Sequence, residues 1–343
     1  MPKINAKKIC LIRTSALGDM VHALALVNGL RKGYPDAHLT WVLQNLPYDM
    51  VRHQTNVDRF ITFDRNGGIK SWLSLFKRLR QESYDLVLLP QVSAKVSLIT
   101  IFTRAKIKLG FDFKRSRDFH WVVTNYKIPF RPRQHVQDQF FEFLDFLEIN
   151  DYPVEWNFTF TENEWAWQKS YFENLKRPVI GFVIASSNRE KDWALDKYVR
   201  VIDYVDQKLD MQPILIGGPS ELEKNYAGEI CRMCKKDPVI ALEKPIRKTM
   251  MQLAGSRIVI SPDTGPLHMA VALNTPTIGL YGYSNPRRCG PYRKYHDLLI
   301  DKYNEPGEEN TPITHKTKPG RMQLITSDEV IEKINLGLEK YSA

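Results

Sequence analysis

Two loops in this 343-residue sequence carry residue types that can do chemistry together. In the first, Arg13-Thr14-Ser15-Ala16-Leu17-Gly18-Asp19 follows a short apolar run at 8–13 and precedes a helical pattern. Asp19 puts a carboxylate on a glycine-bearing turn, where it can take a proton from a bound hydroxyl. Aspartate also caps helices well, and spacing alone favours that plainer role. The loop lacks both the G-x-G-x-x-G spacing and the Walker lysine, so a dinucleotide or P-loop fingerprint is excluded here.

The second loop, Pro262-Asp263-Thr264-Gly265-Pro266-Leu267-His268, follows a strand-like run at 257–261 and opens an alanine-rich helix. Thr264 can cap, Gly265 lets a ligand approach the backbone, and Pro266 suits a first helical turn. N–H groups at such a helix start bind phosphate. His268 falls in that first turn. Taken alone, Asp263 reads equally as a turn former and His268 as a packed histidine. Together these residues form the best diphosphate site in the sequence. Two further loops follow the strand-like runs at 179–185 and 213–216. One carries Ser186, Ser187 and Lys191, groups that can meet phosphate oxygens. The other is Gly217-Gly218-Pro219-Ser220-Glu221, in which Glu221 can accept hydrogen bonds from a ribose, with Glu223 as the alternative.

The elements that must position these loops alternate in type. Strand-like runs at 8–13, 39–43, 60–63 and 86–89 are separated or followed by helical patterns at 20–32, 71–80 and 93–103. The pattern restarts at 179–185 and continues with strands at 213–216, 239–242, 257–261 and 277–281. Helices are expected at 195–209, 221–233, 249–254 and from about 266. Such alternation predicts α/β architecture with parallel sheets covered on both faces. The length favours two domains. The boundaries read as 1–160 for the first and 177–326 for the second, with 150–176 as a linker. Residues 327–343 read as a closing helix capped by Ser327. In open sheets of this kind, ligands bind beyond the carboxyl ends of the strands.

The net charge of +10 is unevenly spread. Residues 1–150 hold 23 Lys and Arg against 13 Asp and Glu, whereas the remainder holds 26 of each. An anionic partner is therefore expected for the first half, and a solubilising surface is the plainer reading. No stretch approaches the roughly 18 apolar residues of a membrane span, and no secretory leader pattern opens the sequence. A cytoplasmic protein is expected. Cys231 and Cys234 form a C-x-x-C pair without a second pair or histidine cluster. They read as two thiols on a helix, not as a metal or redox site.

Longer stretches resemble glycosyltransferase family 9, the ADP-heptose:lipopolysaccharide heptosyltransferases. KICLIRTSALGDMVHALAL resembles that family's strand, S-x-L-G-D loop and helix. SPDTGPLHMAVALNTPTIGLYGYSNPRRCGPY resembles its D-T-G-x-x-H segment and the adjoining glycine- and proline-bearing stretch. Lys191–Trp193 resembles its K-x-W segment, Gly217–Glu221 its G-G-x-x-E loop, and GFDFKRSRDF from Gly110 an acceptor-side segment. Asp192 after the lysine, and Ala194 where proline is common, depart from the pattern.

The resemblance implies a GT-B fold, two facing Rossmann-like domains with a central cleft. It implies inverting transfer of heptose from ADP-heptose to the Kdo region of the lipopolysaccharide inner core, with no metal and no cofactor beyond the donor. Asp19 would be the general base. Ser187, Lys191, Glu221, Asp263, Thr264, Gly265 and His268 would bind the nucleotide sugar. Ser15 and Gly18, with Lys114, Arg115 and Arg117, would meet an anionic Kdo-lipid A acceptor at the cytoplasmic face of the inner membrane. Lys106 and Lys108 extend that basic run. Nucleic acid is not expected as a partner. The alternatives are another core heptosyltransferase, for heptose II or III, and a non-catalytic basic protein that binds membrane or nucleic acid.

Overall fold

The structure, a computed structural model, describes residues 4–308 and 310–341. These residues divide into two compact units. The first runs up to Pro132 and includes Val136–Thr159; the second takes in Arg133–His135 and the chain from Phe160 onward.

In the first unit, β1 (Lys8–Ile12), β2 (His38–Gln44), β3 (Arg59–Phe63), β4 (Ser83–Leu88), β5 (Arg104–Gly110) and β6 (Tyr126–Lys127) form one parallel sheet in the order β3-β2-β1-β4-β5-β6. Four residues of β1 and five of β2 are buried, because helices cover both faces of a parallel sheet. The Leu17–Gly33 helix follows β1 and buries an unbroken stretch from Met20 to Leu30. It packs on the Val136–Phe146 helix. A Cβ at Gly29 would stand 2.3 Å from the Leu144 side chain, and one at Gly33 2.4 Å from that of Ile149. Only glycine lets the two segments come this close.

The second unit repeats the order. Its strands β7 (Val179–Val183), β8 (Gln212–Gly217), β9 (Val239–Leu242), β10 (Ile258–Pro262), β11 (Thr277–Tyr281) and β12 (Ile300–Asp301) run parallel as β12-β11-β10-β7-β8-β9. Counted within each unit, the strand order is 3-2-1-4-5-6, that of a dinucleotide-binding Rossmann sheet. Phe182, Tyr198, Ile202, Leu215 and Ile260 are among the side chains at the centre of its core. The Ser327–Tyr341 helix packs on Leu195–Lys208 and completes this unit.

Three local readings change. The segment expected as a linker holds a 14-residue helix, Glu162–Leu175. Its capping box joins Thr161 and Glu164 in both directions, a signal present in the sequence as T-x-x-E. Glu164 also binds the buried Arg247, and this hydrogen bond is the main reason its carboxyl is held down at about 2. The basic stretch from 104 begins as β5, whose Ala105, Ile107 and Leu109 alternate with the lysines. The closing helix is capped by Thr326, one residue earlier than expected: its Oγ1 accepts from Glu329 N–H at 3.2 Å, and Glu329 Oε2 accepts from Thr326 N–H at 2.9 Å. Ser327 instead donates to the Lys197 carbonyl at 3.3 Å. Cys231 and Cys234 sit at the end of the Glu221–Met233 helix with free thiols.

His120 is buried in the first unit, and its Nε2 accepts from Phe111 N–H at 3.1 Å. Nδ1 therefore carries the proton. Burial, aided by the charge of Lys127, lowers its pKa to about 4. The unfolded chain, with a pKa near 6.5, binds this proton more readily. The stabilising difference is fully present above about pH 6.5 and is lost as pH falls towards 4. Over that window His120 is expected to cost the fold ~3 kcal/mol. Urea unfolding at pH 7.5 and 4.5 checks this. The pH dependence should flatten in His120→Gln, and an unchanged slope would assign it to other groups.

Candidate active site

In each sheet the strand order reverses beside one pair of strands, β1 and β4 in the first and β7 and β10 in the second. Loops leaving the carboxyl ends of such a pair diverge and open a crevice. Both loops singled out in the sequence leave at these positions.

In the second unit, the loop after β7 is held by its own polar groups. Asp192 Oδ1 accepts from Ser186 N–H at 2.8 Å, Ser186 Oγ donates to the Asn188 carbonyl at 2.5 Å, and a 3₁₀ turn covers Arg189–Lys191. Asp192, the departure from the family pattern, is thus the residue that closes this loop. Trp193 is buried behind it and donates Nε1–H to the Ile325 carbonyl at 3.1 Å. These contacts aim Lys191 at the loop after β10. Its Nζ lies 2.7 Å from Asp263 Oδ2 and 3.2 Å from the Asp263 carbonyl.

Asp263 is buried, and Ser284 Oγ donates to its Oδ2 at 2.6 Å. Cys289 Sγ lies 3.5 Å from the same oxygen, and His268 Nε2 3.5 Å from Oδ1. Burial would raise the carboxyl's pKa, but the His268 bond and the Lys191 charge prevail and hold it far below the usual range. The buried carboxylate is therefore ionised and compensated. Thr264 is the N-cap of the Gly265–Ala272 helix, which has no side-chain cap. Its Oγ1 contacts Ser261 Oγ at 3.1 Å instead. First-turn N–H groups and one ammonium thus converge, an arrangement that can hold a diphosphate.

Glu221 and Glu223 are placed differently. Glu221 is exposed and pairs with Lys224 at 2.8 Å. Glu223 Oε1 accepts from Gly218 N–H at 2.8 Å, and its Oε2 from Ser220 Oγ at 2.5 Å. Glu223 thereby fixes the glycine loop, and Glu221 is the exposed carboxylate beside it. Ser187 is exposed on the β7 loop.

In the first unit, Asp19 stands in the first turn of the Leu17–Gly33 helix, whose N-cap is Ala16 with no side-chain cap bond. Capping does not account for Asp19. Its carboxylate is engaged by the Arg13 guanidinium. Arg13 is buried, donates from Nη1 to the Pro90 carbonyl at 2.8 Å, and lies 5.4 Å from the Phe140 ring centroid. Thr14 N–H donates to Gln91 Oε1 at 2.8 Å. The loops after β1 and β4 are thus tied together, with Asp19 held at their rim about one-third exposed. Ser15 and Gly18 flank it, half-buried. The sequence offered one hint of Arg13, a cation directly after the apolar run Ile9-Cys10-Leu11-Ile12. It gave Ser284 and Cys289 no role, because both come from a separate loop after β11.

The basic run is not one patch. Lys106 pairs with Asp85 at 3.2 Å, and Lys108 donates to the Thr100 carbonyl at 2.9 Å. The Arg115 side chain is 8% exposed, held between Asp112 and Glu142 with its Nη2 2.7 Å from Glu142. Its charge is spent inside the fold. Lys114 lies over the Phe130 ring, 4.6 Å from the centroid, and Arg117 is exposed.

The sequence profile of glycosyltransferase family 9 (heptosyltransferase) matches residues 72–317. The chain belongs to glycosyltransferase family 9. This family 9 chain is 29% identical over 332 residues to the lipopolysaccharide core heptosyltransferase OpsX of Haemophilus influenzae, covering 94% of each. It is 26% identical to lipopolysaccharide heptosyltransferase 3 of Escherichia coli K12, over 77% of this chain and 79% of that one. A solved family 9 glycosyl transferase from Veillonella parvula superposes with a TM-score of 0.83 at 22% identity, covering 97% and 98% of the two chains. E. coli heptosyltransferase WaaC with ADP superposes at 0.73 and 20% identity, covering 96% and 99%. The fold is the GT-B type expected, with two Rossmann-like parallel-sheet units.

Proposed function

We propose that the enzyme moves heptose from ADP-heptose to the Kdo region of the lipopolysaccharide inner core, with inversion at the anomeric carbon. The observation that carries this reading is the convergence of Lys191 and the Gly265–Ala272 helix N-terminus at one strand-order reversal. The core-heptosyltransferase names of its relatives support the acceptor class.

In the proposed reaction, an acceptor hydroxyl oxygen attacks the anomeric carbon while the bond to the diphosphate oxygen breaks. Asp19 accepts the hydroxyl proton, and Arg13 keeps its carboxylate oriented. ADP leaves with its developing charge against Lys191 and the helix dipole. Thr264 and Gly265 line the diphosphate, Glu221 meets the ribose, and Asp263 and His268 fix Lys191 and the turn. Ser187 adds a hydroxyl to the donor side. Ser15, Gly18, Lys114 and Arg117 face the acceptor. The site of action is the cytoplasmic face of the inner membrane, with the enzyme bound peripherally. Among the described residues no helix is long and apolar enough to cross a membrane.

The test is an assay with ADP-heptose and three acceptors: Kdo-lipid A, a mono-heptosylated core and a di-heptosylated core. Transfer to the first alone is expected. Transfer only to a heptosylated core would make the enzyme a heptose II or III transferase, and failure to bind ADP would leave a non-catalytic basic protein. Diphosphate held by an ammonium and backbone N–H groups needs no bridging cation. Among the described residues no cluster of three His, Cys, Asp or Glu side chains is placed to hold one. Activity is therefore expected to persist in EDTA. Loss that Mg²⁺ or Mn²⁺ restores would give the diphosphate a metal partner.

A further inference from the structure

We propose that the segment from Phe113 to Phe130 is a docking surface that seats the first unit on an anionic bilayer, its aromatic side chains entering the headgroup layer. The proposal rests on the reading that the acceptor is lipid-anchored.

Large apolar side chains rarely cluster at a surface without a partner. Here Phe119 is 72% exposed, Trp121 48% and Phe130 51%, with Phe113 and Val122 more exposed than Trp121. Two side-chain contacts link parts of this set. The Phe113 and Trp121 rings meet edge to face at 5.8 Å, and Lys114 Nζ lies over Phe130. Val122 N–H donates to the Phe119 carbonyl at 3.0 Å, within the His120–Val123 turn.

The backbone presents these rings at a cost. Asp118 and Phe119 both have positive φ, 53° and 62°, a region unfavourable for a bulky residue. Ser97 Oγ holds the strained turn from the neighbouring helix, donating to the Asp118 carbonyl at 2.8 Å. Buried His120 anchors it from beneath, beside exposed Phe119 and Trp121. A loop fixed from below, strained at its tip and aromatic outside is built to display its side chains.

Charge identifies the occupant. Lys114 and Arg117 rise from the same segment, opposed by Asp118 3.9 Å from Arg117. Aromatic rings and cations together match the bilayer interface, where rings sit at headgroup depth and cations meet lipid phosphates. A hydrophobic protein partner would have no need of the cations, and a nucleic acid would prefer a denser run of them.

The test uses the full-length protein and extruded vesicles. Flotation onto vesicles of 30% phosphatidylglycerol in phosphatidylethanolamine is expected, with much weaker flotation onto pure phosphatidylcholine. Trp121→Ser/Phe130→Ser should lower partition onto anionic vesicles by about tenfold or more. ADP affinity, and transfer to a deacylated water-soluble acceptor, should stay unchanged in this variant. Unchanged partition in the variant, or equal binding to phosphatidylcholine, overturns the proposal. So does a wild-type dimer in sedimentation that the variant dissolves, which would assign the surface to a second copy. If vesicle binding behaves as expected but no acceptor takes heptose, the proposed function fails and the docking surface stands. If the soluble acceptor reacts and vesicles do not bind, the reverse holds.

Discussion

Asp19→Asn is expected to lower the rate of heptosyl transfer ~10²–10⁴-fold, the usual contribution of a positioned general base, while leaving ADP-heptose affinity within a few-fold of wild type. Asparagine keeps the size of the side chain and an oxygen for Arg13, but cannot take the acceptor proton. The structure makes this a sharp experiment, because the Leu17–Gly33 helix draws no side-chain cap from Asp19. Loss of a cap therefore cannot explain a loss of rate. Single-turnover transfer together with donor titration separates the outcomes. A rate within a few-fold of wild type would leave Asp19 as Arg13's counter-ion and nothing more.

Lys191→Met should lower kcat ~10²–10³-fold, as removal of one group facing a developing oxyanion does elsewhere. A second effect complicates it. Asp263 is buried and loses its closest cation, which destabilises the second unit by ~3 kcal/mol. Lys191→Met/Asp263→Asn separates the two. It should recover most of the thermal stability, because the remaining amide can still bond Ser284, while kcat stays low. If the double variant also recovered kcat, Lys191 would serve only to neutralise Asp263 and would not meet the diphosphate.

The residues that punctuate strand-to-helix turns were legible from the sequence. Gly18, Gly217, Gly218, Thr264, Gly265 and Pro266 stand at such turns because the backbone there demands small, capping or φ-restricted residues. Once strands alternate with helices, topology places those turns at the carboxyl edge of a sheet. What stayed hidden depends on partners distant in the chain. Arg13 reaches Pro90, and Lys191 reaches Asp263. Ser284 and Cys289 reach Asp263 from the loop after β11. No periodicity encodes such pairings. Arg115 illustrates the opposite error. It sits in a conspicuous basic run, yet Asp112 and Glu142 draw it inside, so counting cations overstated the surface charge. Likewise, the aromatic and acidic residues of 162–175 read as a connection, although Thr161 and Glu164 announced a helix.

The glycines at the far end of the Leu17–Gly33 helix make it a lever. Gly29 is ten residues from Asp19, ~15 Å along the axis, and rests directly against Leu144. An added methyl at Gly29 would be relieved either by Leu144 turning to another rotamer or by tilting the helix about that contact. A tilt of ~5° would swing the Asp19 end by more than ~1 Å, enough to cost a positioned group ~10²-fold in rate. If Asp19 takes the acceptor proton as proposed, its position is set in part by an apolar contact that meets neither substrate. Variation at Gly29 that Leu144 does not absorb would then slow transfer with no change in any charged residue.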